Sequence, residues 1–136
     1  MATAAKRILI ADDDLDDQEI LIEVLNQMDP SLEIVTAVNG GLVLDYLAER
    51  GAAEFPDLVV LDYKMPIMSG VEVLEHLRED ERYAAIPMVV WSTSGQPEHR
   101  MRCLEAGARQ YFIKPSSLQE LRTIAGQLLA LALAGK

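Results

Sequence analysis

Short apolar runs recur along the chain and alternate with segments whose apolar residues fall at helical spacing. The runs are Ile8–Ala11, Glu33–Val38, Leu58–Leu61, Pro87–Trp91 and Gln110–Ile113. Three of them are almost continuously apolar, as strands covered on both faces of a parallel sheet must be. Successive runs end some 22 to 30 residues apart, room for one crossover helix each time. Between the first two, Ile20, Leu21, Val24, Leu25 and Met28 form one apolar stripe. Asp16 with Glu19 reads as a capping box at the start of that helix. Val73, Leu74 and Leu77 mark a third helix opened by Gly70, Pro97 and Gly107 bracket a fourth, and Ser117 with Glu120 caps a last one. The pattern predicts an α/β fold, a doubly wound (βα)5 five-stranded parallel sheet with helices on both faces and right-handed crossovers.

At 136 residues, half of them apolar and a quarter charged, the chain is predicted to be a single domain spanning 1–136, with a core over about 6–131. Roughly two-thirds of the unfolded surface can be buried at this size, so no disulfide or metal is needed to complete a core. The formal charge is −10, the wrong sign for neutralising phosphates, which argues against direct contact with nucleic acid. Cys103 is the sole cysteine, so no internal disulfide can form and a reducing, cytoplasmic setting is expected. Residues 1–7 are too short for a secretory leader, and no apolar run approaches the ~20 residues of a membrane span. One helix follows Ile113, so no output domain is expected to be attached.

Sites on such sheets lie at the carboxyl ends of the strands. There the sequence places Asp12, Asp13 and Asp14 after the first run, Asp62 after the third, Ser92, Thr93 and Ser94 after the fourth, and Lys114 after the fifth. Carboxylates so clustered repel one another and call for a counter-charge. Mg²⁺, with its oxygen-only shell, suits aspartate ligands. An ammonium and a hydroxyl across from the metal are the parts that hold a transferred phosphoryl group, and an aspartate beside them can be its nucleophile.

The Asp12-Asp13 pair, Asp62 followed by Met65-Pro66, Ser92-Thr93 and Lys114-Pro115 together resemble the receiver domain of two-component response regulators, whose fold is flavodoxin-like. The resemblance runs from Ile8 to about Leu131. The stretches Trp91–Gly95 and Tyr111–Ser117 resemble stand-alone receivers of the cyanobacterial phytochrome-partner type. The resemblance implies that Asp62 is the phosphoacceptor. It implies that Asp13 binds Mg²⁺ directly, that Asp12 supports it partly through water, and that the backbone carbonyl of Lys64 completes the protein's share of the shell. Ser92 would supply the hydroxyl that follows the phosphoryl group, Lys114 would pair with Asp62 and then with the phosphoryl oxygens, and Tyr111 would be an aromatic switch. A cis Lys114–Pro115 bond is also implied. Lys64 and Ser116 depart from the residues many receivers carry there, and Asp14 has no fixed role in the family.

The implied function is a phosphorylation-switched signalling module, which takes a phosphoryl group from a sensor histidine kinase or a histidine phosphotransfer protein. Transfer to itself and slow self-hydrolysis would be its only chemistry, so it is not an enzyme acting on a free substrate. The alternative is a pseudo-receiver, a binding or dimerisation module that has lost Asp62, Asp13 or Lys114; none is lost. A metal-dependent phosphatase or a flavodoxin-like nucleotide enzyme would want a glycine-rich phosphate loop or a second acid two residues past Asp62, where Lys64 stands.

Plainer readings apply elsewhere. Asp16, Asp17, Glu19 and Glu23 read as a solvated, dipole-favoured helix start, His76 and His99 as surface residues, Trp91 as a strand-end plug and Cys103 as a half-buried hydrophobe. Tyr111 could equally be a core aromatic. Residues 1–96 carry 6 bases and 19 acids (net −13), and residues 97–136 carry 6 bases and 3 acids (net +3). In the last helix Leu118, Leu121, Ala125, Leu128 and Ala132 can face the sheet, leaving Ile124, Leu129, Leu131 and Leu133 as surplus. Such a surplus suggests a homodimer or docking face on the final helix.

Overall fold

Side chains alternate across each strand, and the two sets they form build two cores. The computed structural model describes residues 5–134; residues 1–4, part of the segment too short for a leader, and Lys136 of the charge count lie outside them. The strands are β1 (Arg7–Ala11), β2 (Glu33–Ala37), β3 (Leu58–Asp62), β4 (Met88–Ser92) and β5 (Gln110–Ile113). They pair in parallel in the order β2-β1-β3-β4-β5. Leu9, Val59, Leu61, Met88, Val90 and Tyr111 point to one face, and Ile8, Ile10, Leu58, Val60, Val89, Trp91 and Phe112 to the other, the period-two alternation of a pleated strand. Every residue of β3 and β4 is buried, whereas the edge strands β2 and β5 expose part of theirs.

Helices α2 (Gly40–Ala48), α3 (Gly70–Arg78) and α4 (Pro97–Ala106) cover the first face, and α1 (Leu15–Met28) and α5 (Leu118–Ala134) the second. The predicted fold class is the observed one. Pro97 opens α4, Gly107 ends it in the left-handed region at φ 119°, and Ser69 with Glu72 forms the full capping box of α3. At α5 the Ser117 hydroxyl accepts the Glu120 N–H at 3.1 Å and donates to the Glu120 carboxylate at 3.2 Å, closing the predicted cap locally. A Cβ at Gly70 would stand 2.5 Å from the Asp62 carbonyl oxygen. Only glycine lets the start of α3 approach the end of β3 this closely.

Four expectations need correction. Asp16 and Glu19 do not form the cap of α1. Asp14 does, accepting the N–H groups of Asp16 at 3.0 Å and Asp17 at 3.1 Å, because the helix begins at Leu15 and its first free donors lie there. The second strand stops at Ala37, and Val38 is 42% exposed in the bend that follows. Leu118, expected to face the sheet, is 52% exposed as the first residue of α5; the buried stripe starts one turn later, with Leu121, Ala125, Leu128 and Ala132. The Lys114–Pro115 bond is trans, since the structure has no cis peptide among the described residues. Lys114 lies upstream of that bond and enters the pocket straight from the end of β5, so the ordinary trans isomer suffices.

The apolar surplus of α5 is smaller than its sequence suggests. Ile124, Leu129 and Leu131 pack partly buried against the α1 side of the core, and Leu133 remains 61% exposed.

Candidate functional site

The strand order places β1 and β3 side by side at the centre, with their crossovers leaving toward opposite faces. This is the point where a doubly wound sheet opens a crevice beyond its carboxyl edge. Asp12 and Asp13 leave β1 there and Asp62 ends β3, while Ser92 ends β4 and Lys114 follows β5. An open cleft of about 490 Å³ spans them, lined by Asp13, Asp14, Asp17, Asp62, Lys64, Met65, Pro66, Ser92, Thr93 and Lys114.

Carboxylate oxygens of Asp12, Asp13 and Asp62 lie within 4.8 Å of one another. Asp12 and Asp62 are buried, whereas Asp13 is exposed at the mouth. The Lys114 ammonium is the counter-charge, 2.9 Å from Asp12 Oδ2, 2.8 Å from Asp17 Oδ2 and 3.2 Å from Asp62 Oδ2. It donates hydrogen bonds to Asp17 and Asp62, but Asp12 Oδ2 takes no hydrogen bond of good direction. Burial works against the charge on Lys114, yet the contacts to Asp17 and Asp12 and the charge on Asp62 outweigh it and raise its pKa. Burial, with the proton-sharing contact and charge of Asp12, pushes the Asp62 carboxyl up to about 7 against the opposing pull of Lys114. One ammonium thus serves three carboxylates, and the site carries net negative charge.

A buried carboxylate oxygen whose partner is the Lys114 ion pair rather than a directed hydrogen bond, converging with two further carboxylates, belongs to an oxygen-only donor set that fits a hard divalent cation.

Backbone and amide contacts hold these groups in place. Asp12 Oδ1 accepts the Asp14 N–H at 2.9 Å. Gln18, buried in α1, directs its side-chain amide at the carbonyls of Ile10, Asp12 and Ala37 at 3.2–3.4 Å. It ties α1 to the ends of β1 and β2 directly beneath the acids. On the other side, the Lys114 N–H donates to the Ser92 carbonyl at 2.7 Å. Ser92 Oγ accepts the Ser94 N–H at 3.1 Å, and the buried Tyr111 hydroxyl donates to the Ser94 carbonyl at 2.7 Å.

The predicted acids, Ser92, Lys114 and the Lys64 segment therefore meet at one cleft, with Tyr111 two hydrogen bonds from Ser92. Asp17 was missed. Read as part of a solvated helix start, it makes the shortest contact to Lys114, at 2.8 Å from the first turn of α1. The signal available was its position three residues after the Asp14 cap. Gln18 was missed as well; a polar residue within the apolar stripe of α1 was its signal. His99 is not a bare surface residue. It is half-buried, stacked on Tyr63 with ring centroids 4.5 Å apart, and hydrogen-bonded to Ser94. Cys103 is wholly rather than half-buried, and burial pushes its thiol up to about 11. Trp91 is buried as expected, with the Lys114 ammonium 5.2 Å from its ring centre.

Residues 8–125 match the family model of the response regulator receiver domain. The two-component response regulator ARR8 of Arabidopsis thaliana is 30% identical over 89% of this chain and 60% of its own length. The phosphate regulon transcriptional regulatory protein PhoB of Escherichia coli (strain K12) is 34% identical over 86% of this chain and 48% of its own. The chain spans only about half to three-fifths of these relatives. Among solved structures, the phosphorylated cyanobacterial phytochrome response regulator RcpA is 29% identical with a TM-score of 0.86, covering 96% of both chains. The Mn²⁺-bound response regulator Rcp1 is 26% identical with a TM-score of 0.81, covering 95% of both. The order of the strands, the acids at their central ends and these matches lead to one conclusion: the chain belongs to the response regulator receiver family.

Proposed function

We propose that the chain is a phosphorylation-switched regulator that receives a phosphoryl group on Asp62 from a phosphohistidine of a sensor kinase or a histidine phosphotransfer protein. The observation that carries this reading is Asp62 buried at a central strand end, between the Asp12–Asp13 pair and the Lys114 ammonium. Receivers are signalling modules, and the finer chemistry proposed here follows from the groups present. A carboxylate oxygen of Asp62 attacks the phosphorus, the histidine nitrogen departs with the electron pair of the broken N–P bond, and an acyl phosphate forms. Lys114 neutralises phosphoryl oxygens, and Ser92 donates a hydrogen bond to one of them.

Asp12, Asp13, Asp62 and the Lys64 carbonyl would hold Mg²⁺, which when bound supplies further neutralisation of the phosphoryl oxygens. Asp13, exposed at the mouth, is the acid most open to direct ligation. Buried Asp12 stands behind it in the supporting role. Slow attack by water on the acyl phosphate would reset the domain. The pseudo-receiver alternative gains no support, since every group it would lack is in place.

Nucleic acid is not an expected partner, given the charge of −10. No helix among the described residues is long and apolar enough to cross a membrane. A cytoplasmic setting is proposed from the kinase partner and the lone buried Cys103. The message is proposed to leave by protein contact. Exposed Leu118 and Leu133 keep the final helix in play as a docking or homodimer face, though with less apolar surface than its sequence promised.

Acetyl phosphate with Mg²⁺ should add one base-labile phosphoryl group to the protein. Asp62→Asn should remove it entirely. Labelling of that variant at the wild-type level would move the acceptor elsewhere and defeat the reading.

A further inference from the structure

Ser94 is a junction of four hydrogen bonds. Its N–H donates to Ser92 Oγ at 3.1 Å, its carbonyl accepts from the Tyr111 hydroxyl at 2.7 Å, and its Oγ accepts the Gln96 N–H at 3.2 Å. The same Oγ lies 2.6 Å from Nδ1 of His99, on the first turn of α4. Ser94 Oγ accepts from Gln96 and still has its own proton to offer the imidazole when Nδ1 is the unprotonated ring nitrogen. The His99 ring in turn lies on Tyr63, centroids 4.5 Å apart and planes 20° from parallel. Tyr63 is the residue directly after Asp62. Asp62, Tyr63, His99, Ser94 and Ser92 thus form a continuous chain along one rim of the pocket, through a covalent link, a stack and two hydrogen bonds.

We propose that His99 is a positioning residue which, through Ser94, clamps the β4–α4 loop to the Tyr63 segment in the resting state, and that phosphorylation of Asp62 opens this clamp as well as moving Tyr111. This rests on the receiver reading above. When the Ser92 hydroxyl turns to a phosphoryl oxygen on Asp62, it leaves the Ser94 N–H without its acceptor. That N–H must find a new partner, so Ser94 shifts and both groups it holds respond. Tyr111 carries the change toward β5. His99 carries it to α4 and Tyr63, a second branch on the opposite side of the loop. No catalytic contact is assigned to His99, which touches neither Asp62 nor Lys114 through any bond described.

The test uses the full chain, with the ring signals of His99, Tyr63 and Tyr111 followed by NMR before and after adding beryllofluoride and Mg²⁺, a mimic of the phosphoryl group. All three should shift in the wild type. In Ser94→Ala, which keeps the backbone contacts of residue 94 to Ser92 and Tyr111 but loses the hydroxyl that meets His99 and the Gln96 N–H, Tyr111 should still shift while His99 no longer follows. Phosphorylation by acetyl phosphate should run about two- to ten-fold faster in His99→Ala, the range that one tethering hydrogen bond spans. His99→Gln, which can still accept from Ser94, should return the rate toward wild type, and His99→Phe, which can only stack, should not. His99 and Tyr63 signals that stay fixed while Tyr111 moves would overturn the inference alone. So would a wild-type rate in His99→Ala, since that residue is only half-buried and its loss leaves the core intact. A wild type that takes no acyl phosphate would overturn the receiver reading, and this inference with it.

Discussion

The two segments that face each other across the pocket, Asp12–Gln18 after β1 and Ser92–His99 after β4, hold their positions by different forces. The first carries five acids and no base, and its order depends on Lys114, the Asp14 cap and the buried Gln18 amide. The second has a single acid, Glu98, and is held by hydroxyls, backbone donors and one imidazole. Charge acts over several ångströms and is answered by any cation of the right kind. Directed hydrogen bonds fail or re-form within a fraction of that distance. On the proposed function, the first segment would gather the cation and the phosphoryl group, and the second would register their arrival.

The largest separation of the two should come from metal titration. Asp13→Asn should weaken Mg²⁺ binding, read through Trp91 fluorescence beside Lys114, by at least the roughly 10- to 100-fold that loss of a ligand's supporting partner costs. Ser94→Ala should leave the affinity unchanged. Equal losses in both would mean the segments are not separable.

The pH dependence of stability isolates the charged segment next. The folded Asp62 carboxyl titrates near 7, against 3.8 for an unperturbed aspartate. Between those values the folded state keeps a proton that the unfolded state has released, so stability falls as pH rises through the window. Asp62→Asn removes that slope. In metal-free buffer the variant should be more stable than wild type at pH 8, on the order of 2 kcal/mol by urea unfolding, with the gap closing toward pH 4. Parallel curves would place the Asp62 carboxyl near its ordinary range.

The contrast between the segments also explains what the sequence reveals. Strands such as β3, buried on both faces, announce themselves by unbroken apolar runs, here residues 58–61, and the acids at their ends by their abrupt change of character. The crossover after β2 carries a weaker signal, because α2 begins with two glycines and holds only nine residues. Asp62, Asp13 and Lys114 are legible because each stands at a strand end. Asp17, Gln18 and His99 are not, since their roles arise from which way a helix turns its residues once it has docked. The trans Lys114–Pro115 bond belongs with these, because the approach of Lys114 is set by β5 rather than by the turn beyond it. The final helix misled for a related reason: its off-stripe residues Ile124, Leu129 and Leu131 find cover beside α1, which no single-helix pattern can show.

Asp17 offers a finer probe of the charged segment. Its carboxylate, about one-third exposed, competes with Asp62 for Lys114 at 2.8 Å against 3.2 Å. Partly exposed ion pairs are worth at most about 1 kcal/mol. Asp17→Asn should free Lys114 for the phosphoryl oxygens and speed phosphorylation by acetyl phosphate roughly two- to five-fold, the change such an energy allows. An unaltered rate would return Asp17 to the solvated helix start that its neighbours form.

The smallest effect is expected at Lys64, two residues past Asp62 and exposed along the cleft. It is the only ammonium besides Lys114 among the lining residues, but nothing fixes its side chain, so it acts as a mobile charge. Near a phosphoryl group on Asp62 it would draw electron density from the phosphoryl oxygens and crowd the path of attacking water. Lys64→Asn should change the dephosphorylation half-life by about two-fold, the scale of an exposed charge contact. Such a contact is screened within about 10 Å at 0.1 M salt and about 3 Å at 1 M. The difference between variant and wild type should therefore shrink at high salt, whereas the buried Lys114 contact should persist there. Half-lives that differ equally at both salt concentrations would mean that Lys64 acts by its bulk, and identical half-lives would mean that its ammonium stays in solvent.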